Sequence, residues 1–94
     1  MSPVSDPILK FLQYPDAALV DHALTRVNLN RDELEITRLH GISGDTYEEL
    51  AGRLFASEET LKRRYATAKF KITSVWRGMP WVQDLVESLR KMPP

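Results

Sequence analysis

Cysteine is absent from this 94-residue chain. No disulfide framework and no thiolate metal site can form, which suits a reducing cytosol. Long apolar runs are also missing. None approaches the roughly 18 residues a membrane span needs, and the opening Met1-Ser2-Pro3-Val4-Ser5-Asp6 lacks the basic and apolar regions of a signal peptide. The expectation is a soluble, cytoplasmic protein with no membrane partner. Histidine is scarce: His22 and His40 stand alone, neither with a second ligand at metal spacing, so no metal site is expected. There is no Gly-rich phosphate loop and no nucleophile elbow. The acidic pairs Glu48-Glu49 and Glu58-Glu59 fall in first helical turns, where compensation of the helix dipole accounts for them without acid-base chemistry. Catalysis and cofactors are therefore not expected.

What the chain does have is helical periodicity, with no convincing strand. A chain of this length buries roughly 60 to 65 per cent of its unfolded surface, enough for one modest core. The expectation is an all-α single domain of about five helices: an N-terminal helical extension over 1–28, a central core over 29–77 and a C-terminal helix over 78–94. Ile8 to Leu12 is a short apolar stretch interrupted by Pro15. Asp16 can cap a helix to about Val27, with Leu19, Val20, Ala23, Leu24 and Val27 on one side. Asn30 caps the next, with Ile36 and Leu39 inward, and the run His40 to Asp45, containing Gly41 and Gly44, ends it. Gly78 breaks a long helix, and Pro80 suits the first turn of a last one running to about Lys91.

The centre is the most informative part. Thr46 with Glu49 three residues on makes a capping box, and Leu50, Ala51 and Leu54 form the apolar stripe of a short helix. Ala51 is small where two helices would cross. After a three-residue turn, Ser57 caps a second helix whose Leu61, Tyr65, Ala68, Ile72 and Val75 recur at spacings of four and three. The opposite face carries Ser57, Glu58, Glu59, Lys62, Arg63 and Ala66.

Net charge is zero, but its distribution is uneven. Residues 1–59 hold eleven acidic and five basic side chains; residues 60–77 hold none acidic and six basic, namely Lys62, Arg63, Arg64, Lys69, Lys71 and Arg77. A local basic face can bind phosphates while an acidic remainder limits nonspecific binding. Trp76 and Trp81, flanking Gly78 and Pro80, either close the core or form an exposed patch for a partner. Phe70 lies off the buried stripe, either under the last helix or in a dimer contact.

From residue 29 to 72 the chain resembles the helix-turn-helix of LuxR/GerE-type transcription regulators and is similar to region 4 of sigma-70 factors. The matching residues are Leu29, Glu33, Glu35, Ile36, Arg38 and Leu39, then Glu49, Leu50, Ala51, Arg53, Leu54, Phe55, Ser57, Glu58, Thr60, Leu61 and Lys62, and finally Lys71 and Ile72. The chain departs from the pattern at Thr37, where a leucine is usual, at Leu34, usually polar, and at Arg64 and Tyr65. The first two departures imply a rotated scaffold helix or an added apolar contact.

The resemblance implies a sequence-specific transcription regulator that reads double-stranded DNA through a helix over about 58–77 in the major groove. On that expectation Lys62 and Arg63 meet base edges, and Glu58 and Glu59, next to the Ser57 cap, accept from cytosine or repel wrong sequences. Thr46, Tyr47, Arg64 and Lys69 contact phosphates. A homodimer is expected, because one small unit rarely reads enough sequence alone. The last helix, with residues 76–92, is its expected interface. The alternative is an interaction module of the same fold that binds RNA polymerase, a sigma factor or another regulator.

Overall fold

The computed structural model describes residues 7–91. Met1 to Asp6, and Met92 of the expected interface, lie outside the described residues. Among the described residues the regular structure is entirely helical. A 3-10 segment Pro7–Gln13 is followed by α1 (Ala17–Thr25), α2 (Arg31–Ile36), a π-helical stretch Thr37–Ile42, α3 (Tyr47–Leu54), α4 (Glu58–Trp76) and α5 (Pro80–Lys91). No helix among them is long and apolar enough to cross a membrane. Two compact units are formed, one of Asn28–Lys71 and one of Met1–Val27 with Ile72–Pro94.

In the first unit the helix starts follow local chemistry. The Asn30 side chain accepts the Glu33 N–H at 2.8 Å, and the Glu33 carboxylate accepts the Asn30 N–H at 3.0 Å, a reciprocal box that satisfies two otherwise orphaned donors. Thr46 and Glu49 do the same for α3. A cap of this kind contributes about 0.5–2 kcal/mol. Between these two boxes the chain departs from α geometry. Thr37 is fully buried and its hydroxyl donates to the Glu33 carbonyl at 2.8 Å, a back-bond that competes with the regular ladder. The turn then widens, and the Ser43 N–H reaches the Arg38 carbonyl five residues back at 2.9 Å. Gly44, at φ 82°, closes the segment in a left-handed conformation that side chains resist.

Thr37 is the first residue of the π-helical stretch. Leu34 is half-buried along an open groove of about 360 Å³ with Arg31, Glu35, Arg38 and Leu39.

The core of this unit is Ile36, Leu50 and Leu61, one from each of α2, α3 and α4, and all at most 1 % exposed. Leu39, Tyr47, Ala51, Leu54, Ala56 and Tyr65 pack around it. Ala51, expected to be buried at a helix crossing, is only half-buried, packed against this cluster. The turn from α3 to α4 uses Phe55 in a left-handed conformation, φ 53° and ψ 43°, with the Ala56 N–H returning to the Ala51 carbonyl at 3.3 Å.

The second unit is built on aromatics. Trp76 is fully buried and its indole N–H donates to the Ala23 carbonyl at 3.0 Å, while Phe11 stands edge-on to it with ring centroids 5.3 Å apart. Phe11 also meets Trp81 edge-on at 5.9 Å, so the 3-10 segment packs on α5. Asp16 caps α1 by accepting the Ala18 and Leu19 N–H groups, and of the expected apolar side Val20, Ala23, Leu24 and Val27 are buried while Leu19 is half-buried. Gly78 and Met79 turn the chain after Trp76, and Pro80 begins α5, whose Val82 and Val86 are buried. Trp76 is therefore core, which removes it from any exposed interface; Trp81 is half-buried beside Phe11 and His22.

Two residues of α3 and its end sit against their conformational preferences. Glycine costs a helix interior about 1 kcal/mol relative to alanine, and left-handed backbone costs a non-glycine residue a similar amount. Urea unfolding should therefore show Gly52→Ala and Phe55→Gly each raising stability by about 1 kcal/mol. Gly44→Ala should lower it by a comparable margin. A Phe55→Gly variant no more stable than the parent would mean that α3 does not end in this way.

Candidate nucleic-acid interface

Leu61 is fixed in the core, and each further residue of an α-helix turns by about 100°. Lys62 and Arg63 are thereby carried to the outer side of α4. Both are exposed, as are Ser57, Glu58, Glu59 and Ala66, so the face expected from the spacing is the face that solvent meets. The Ser57 hydroxyl accepts the Thr60 N–H at 3.1 Å and donates to the Thr60 hydroxyl at 2.8 Å, and so it is engaged as a cap. Thr46 is likewise exposed but committed to its capping box.

The remaining sequence-derived positions are less open. Arg64 is half-buried, its guanidinium 3.8 Å from the Asp32 carboxylate. Lys69 is half-buried with its ammonium 4.9 Å from the Tyr65 ring centre. Tyr47 is half-buried and stacks on His40 at 4.0 Å, and His40 in turn stands edge-on to Tyr65 at 4.9 Å. Lys62 reaches to 5.8 Å from the Tyr47 ring centre, so Lys62 and Lys69 flank an aromatic group made by His40, Tyr47 and Tyr65. Burial pushes both tyrosine hydroxyls up from their ordinary value, and for Tyr65 the neighbouring Tyr47 adds to the effect.

His40 was legible in sequence only as a helix residue with no chemistry assigned. In the structure its Nδ1 lies 2.8 Å from the Asp45 carbonyl oxygen. A carbonyl only accepts, so Nδ1 carries the proton and donates. This bond ties the π-helical stretch to the loop that follows it and orients the ring on which Tyr47 stacks. The same loop is tied by Arg53, which pairs with the Asp45 carboxylate at 3.0 Å.

The six basic residues of 60–77 do not act as one field. Lys71 donates to the buried Glu33 carboxylate at 2.7 Å, and Arg64 faces Asp32. Lys62, Arg63 and Lys69 are left outside ion pairs among the described residues. No family model, no curated protein and no solved structure matches this chain.

Glu33 joins the α2 cap to α4. Its hydrogen bond from Lys71 holds its carboxyl below the ordinary value of 4.5; burial opposes the shift, and the Asn30 N–H and the Lys71 charge reinforce it. A carboxyl depressed in the folded chain stabilises it above the unfolded pKa, and that contribution disappears as pH falls through the folded one. Stability measured by urea unfolding should therefore decline as pH drops below about 4.5, and Glu33→Gln should flatten that part of the profile while costing about 1–3 kcal/mol at neutral pH. An unchanged profile in Glu33→Gln would show that other carboxylates govern acid unfolding.

Proposed function

We propose that the chain is a sequence-specific DNA-binding transcription regulator whose α3, turn and α4 act as a helix-turn-helix, with α4 in the major groove. The observation that carries the proposal is the outward face of α4, where Lys62 and Arg63 are exposed side by side one turn after the Ser57 cap and directly beyond the buried Leu61. A helix anchored in this way offers the side chains of its N-terminal half to base edges, and arginine can pair with guanine through two hydrogen bonds. The resemblance of residues 29–72 to LuxR/GerE-type and sigma region 4 units supports the same arrangement.

In this arrangement Lys62 and Arg63 read bases. Lys69 contacts phosphate, and Arg64 and Tyr47 contribute only after release from Asp32 and from the His40 stack. Glu58 and Glu59 discriminate at the groove edge, and Ser57 and Thr46 serve first as caps whose helix ends lie near the backbone. A homodimer would set two α4 helices about 34 Å apart, one turn of DNA. Half-buried Trp81, Leu85 and Leu89 on α5, without Trp76, are the residues available to it.

A gel shift of the intact chain against genomic fragments, at two salt concentrations, tests the proposal. Specific binding should appear, and Arg63→Ala should cost about 1–3 kcal/mol and relax preference at one base position, whereas Lys69→Ala should weaken all sequences alike. With Lys69 on phosphate and Arg64 joining it after release from Asp32, log K should fall against log salt with a slope between about −1 and −2, from about 0.9 per phosphate contact. Retention of both affinity and selectivity in Arg63→Ala, or a slope near zero, would sink the proposal.

A further inference from the structure

The unfavourable placements in α3 point outward. Gly52 is exposed in the helix interior, and nothing lies within 4 Å of the position a Cβ would take, so the chain's own packing gives no reason for glycine there. Three residues on, Phe55 occupies the left-handed conformation that suits glycine and leaves its side chain 95 % exposed. The free chain would be more stable with these residue types exchanged. Glycine on a helix surface lets another backbone come close, and an exposed aromatic is a typical anchor of protein interfaces. Glu48 and Gly52 lie one turn apart on the side of α3 turned away from the buried Leu50, and exposed Phe55 follows directly after the helix ends at Leu54.

Charge identifies the partner. Residues 45–61 hold Asp45, Glu48, Glu49, Glu58 and Glu59 against a single cation, Arg53, which is already paired with Asp45. Glu58 and Glu59 share the outward face of α4 with Lys62 and Arg63, and Glu48, on α3, has no cation of its own chain in ion-pair reach among the described residues. An acidic surround repels phosphate and favours a basic partner.

We propose that the flank formed by Glu48, Gly52 and Phe55 docks a basic amphipathic helix of a protein partner. Phe55 inserts into the partner's apolar stripe, the notch at Gly52 receives one of its ridge side chains, and lysine or arginine beside that stripe pairs with Glu48. This surface is separate from the outward face of α4, and the proposal stands whether or not that face meets DNA.

The test is fluorescence anisotropy of a labelled synthetic helix of about 18 residues, leucine on one face and lysine on the other, titrated with the intact chain; a companion peptide carries glutamate for lysine. The lysine peptide should bind and the glutamate peptide should not. Affinity should fall by about tenfold with Phe55→Gly and with Gly52→Leu, and severalfold with Glu48→Lys, while Arg63→Ala leaves it unchanged. The first two substitutions suit the local backbone, so a loss of binding is not a loss of folding, and circular dichroism checks this. Equal affinity of the parent and Phe55→Gly, or equal binding of both peptides, would overturn the proposal. So would sedimentation in which Phe55→Gly dissociates a self-associated chain, since the occupant would then be a second copy. A gel shift in which Phe55→Gly weakens duplex binding as much as Arg63→Ala would likewise assign the surface to DNA instead.

Discussion

Ile36, Leu50 and Leu61 converge from three helices onto one point, and the surface of the unit Asn28–Lys71 depends on that contact. Full burial of a side chain of this size contributes about 1.5–3 kcal/mol, so rotating any one of the three helices away is costly. Once Leu61 is locked inward, the helical repeat leaves Arg63 about 200° away from it, on the far side of α4. Leu50 likewise turns Gly52 outward. The residues that can meet a partner are thus selected by the residues that cannot.

Electrostatics then divides the surface. The basic run of α4 is reduced where it faces α2, because Glu33 takes Lys71 and Asp32 takes Arg64. Glu33 has a double role, since the carboxylate that draws Lys71 also completes the Asn30 capping box. What remains cationic lies beside the aromatic group of His40, Tyr47 and Tyr65, while α3 and the turn after it stay acidic. The exposed cations of α4 therefore stand beside Glu58 and Glu59, and α3 adds the exposed Glu48 and Glu49. A phosphate backbone and an acidic protein partner suit the cations, and a basic partner suits the carboxylates.

The features legible in the sequence were those carried by short spacings. The caps at Asp16, Asn30, Thr46 and Ser57, the break at Gly78 and the start at Pro80 all depend on residues within three or four positions of one another, and each forms as the local pattern implies. The apolar stripe of α4 and its exposed opposite face follow from the helical repeat alone. These together determined an all-helical chain and the side chains that face outward from α4.

Tertiary structure decided what the repeat could not. Lys71 and Glu33 are 38 residues apart and Trp76 and Ala23 are 53 apart, so no local pattern announces that the first pair quenches part of the basic face or that the second buries an indole. The π-helical stretch begins at the buried Thr37, and the left-handed Phe55 joins α3 to α4. In each case a locally disfavoured conformation or a distant charge pair persists because neighbouring elements hold it, and only packing brings those neighbours together.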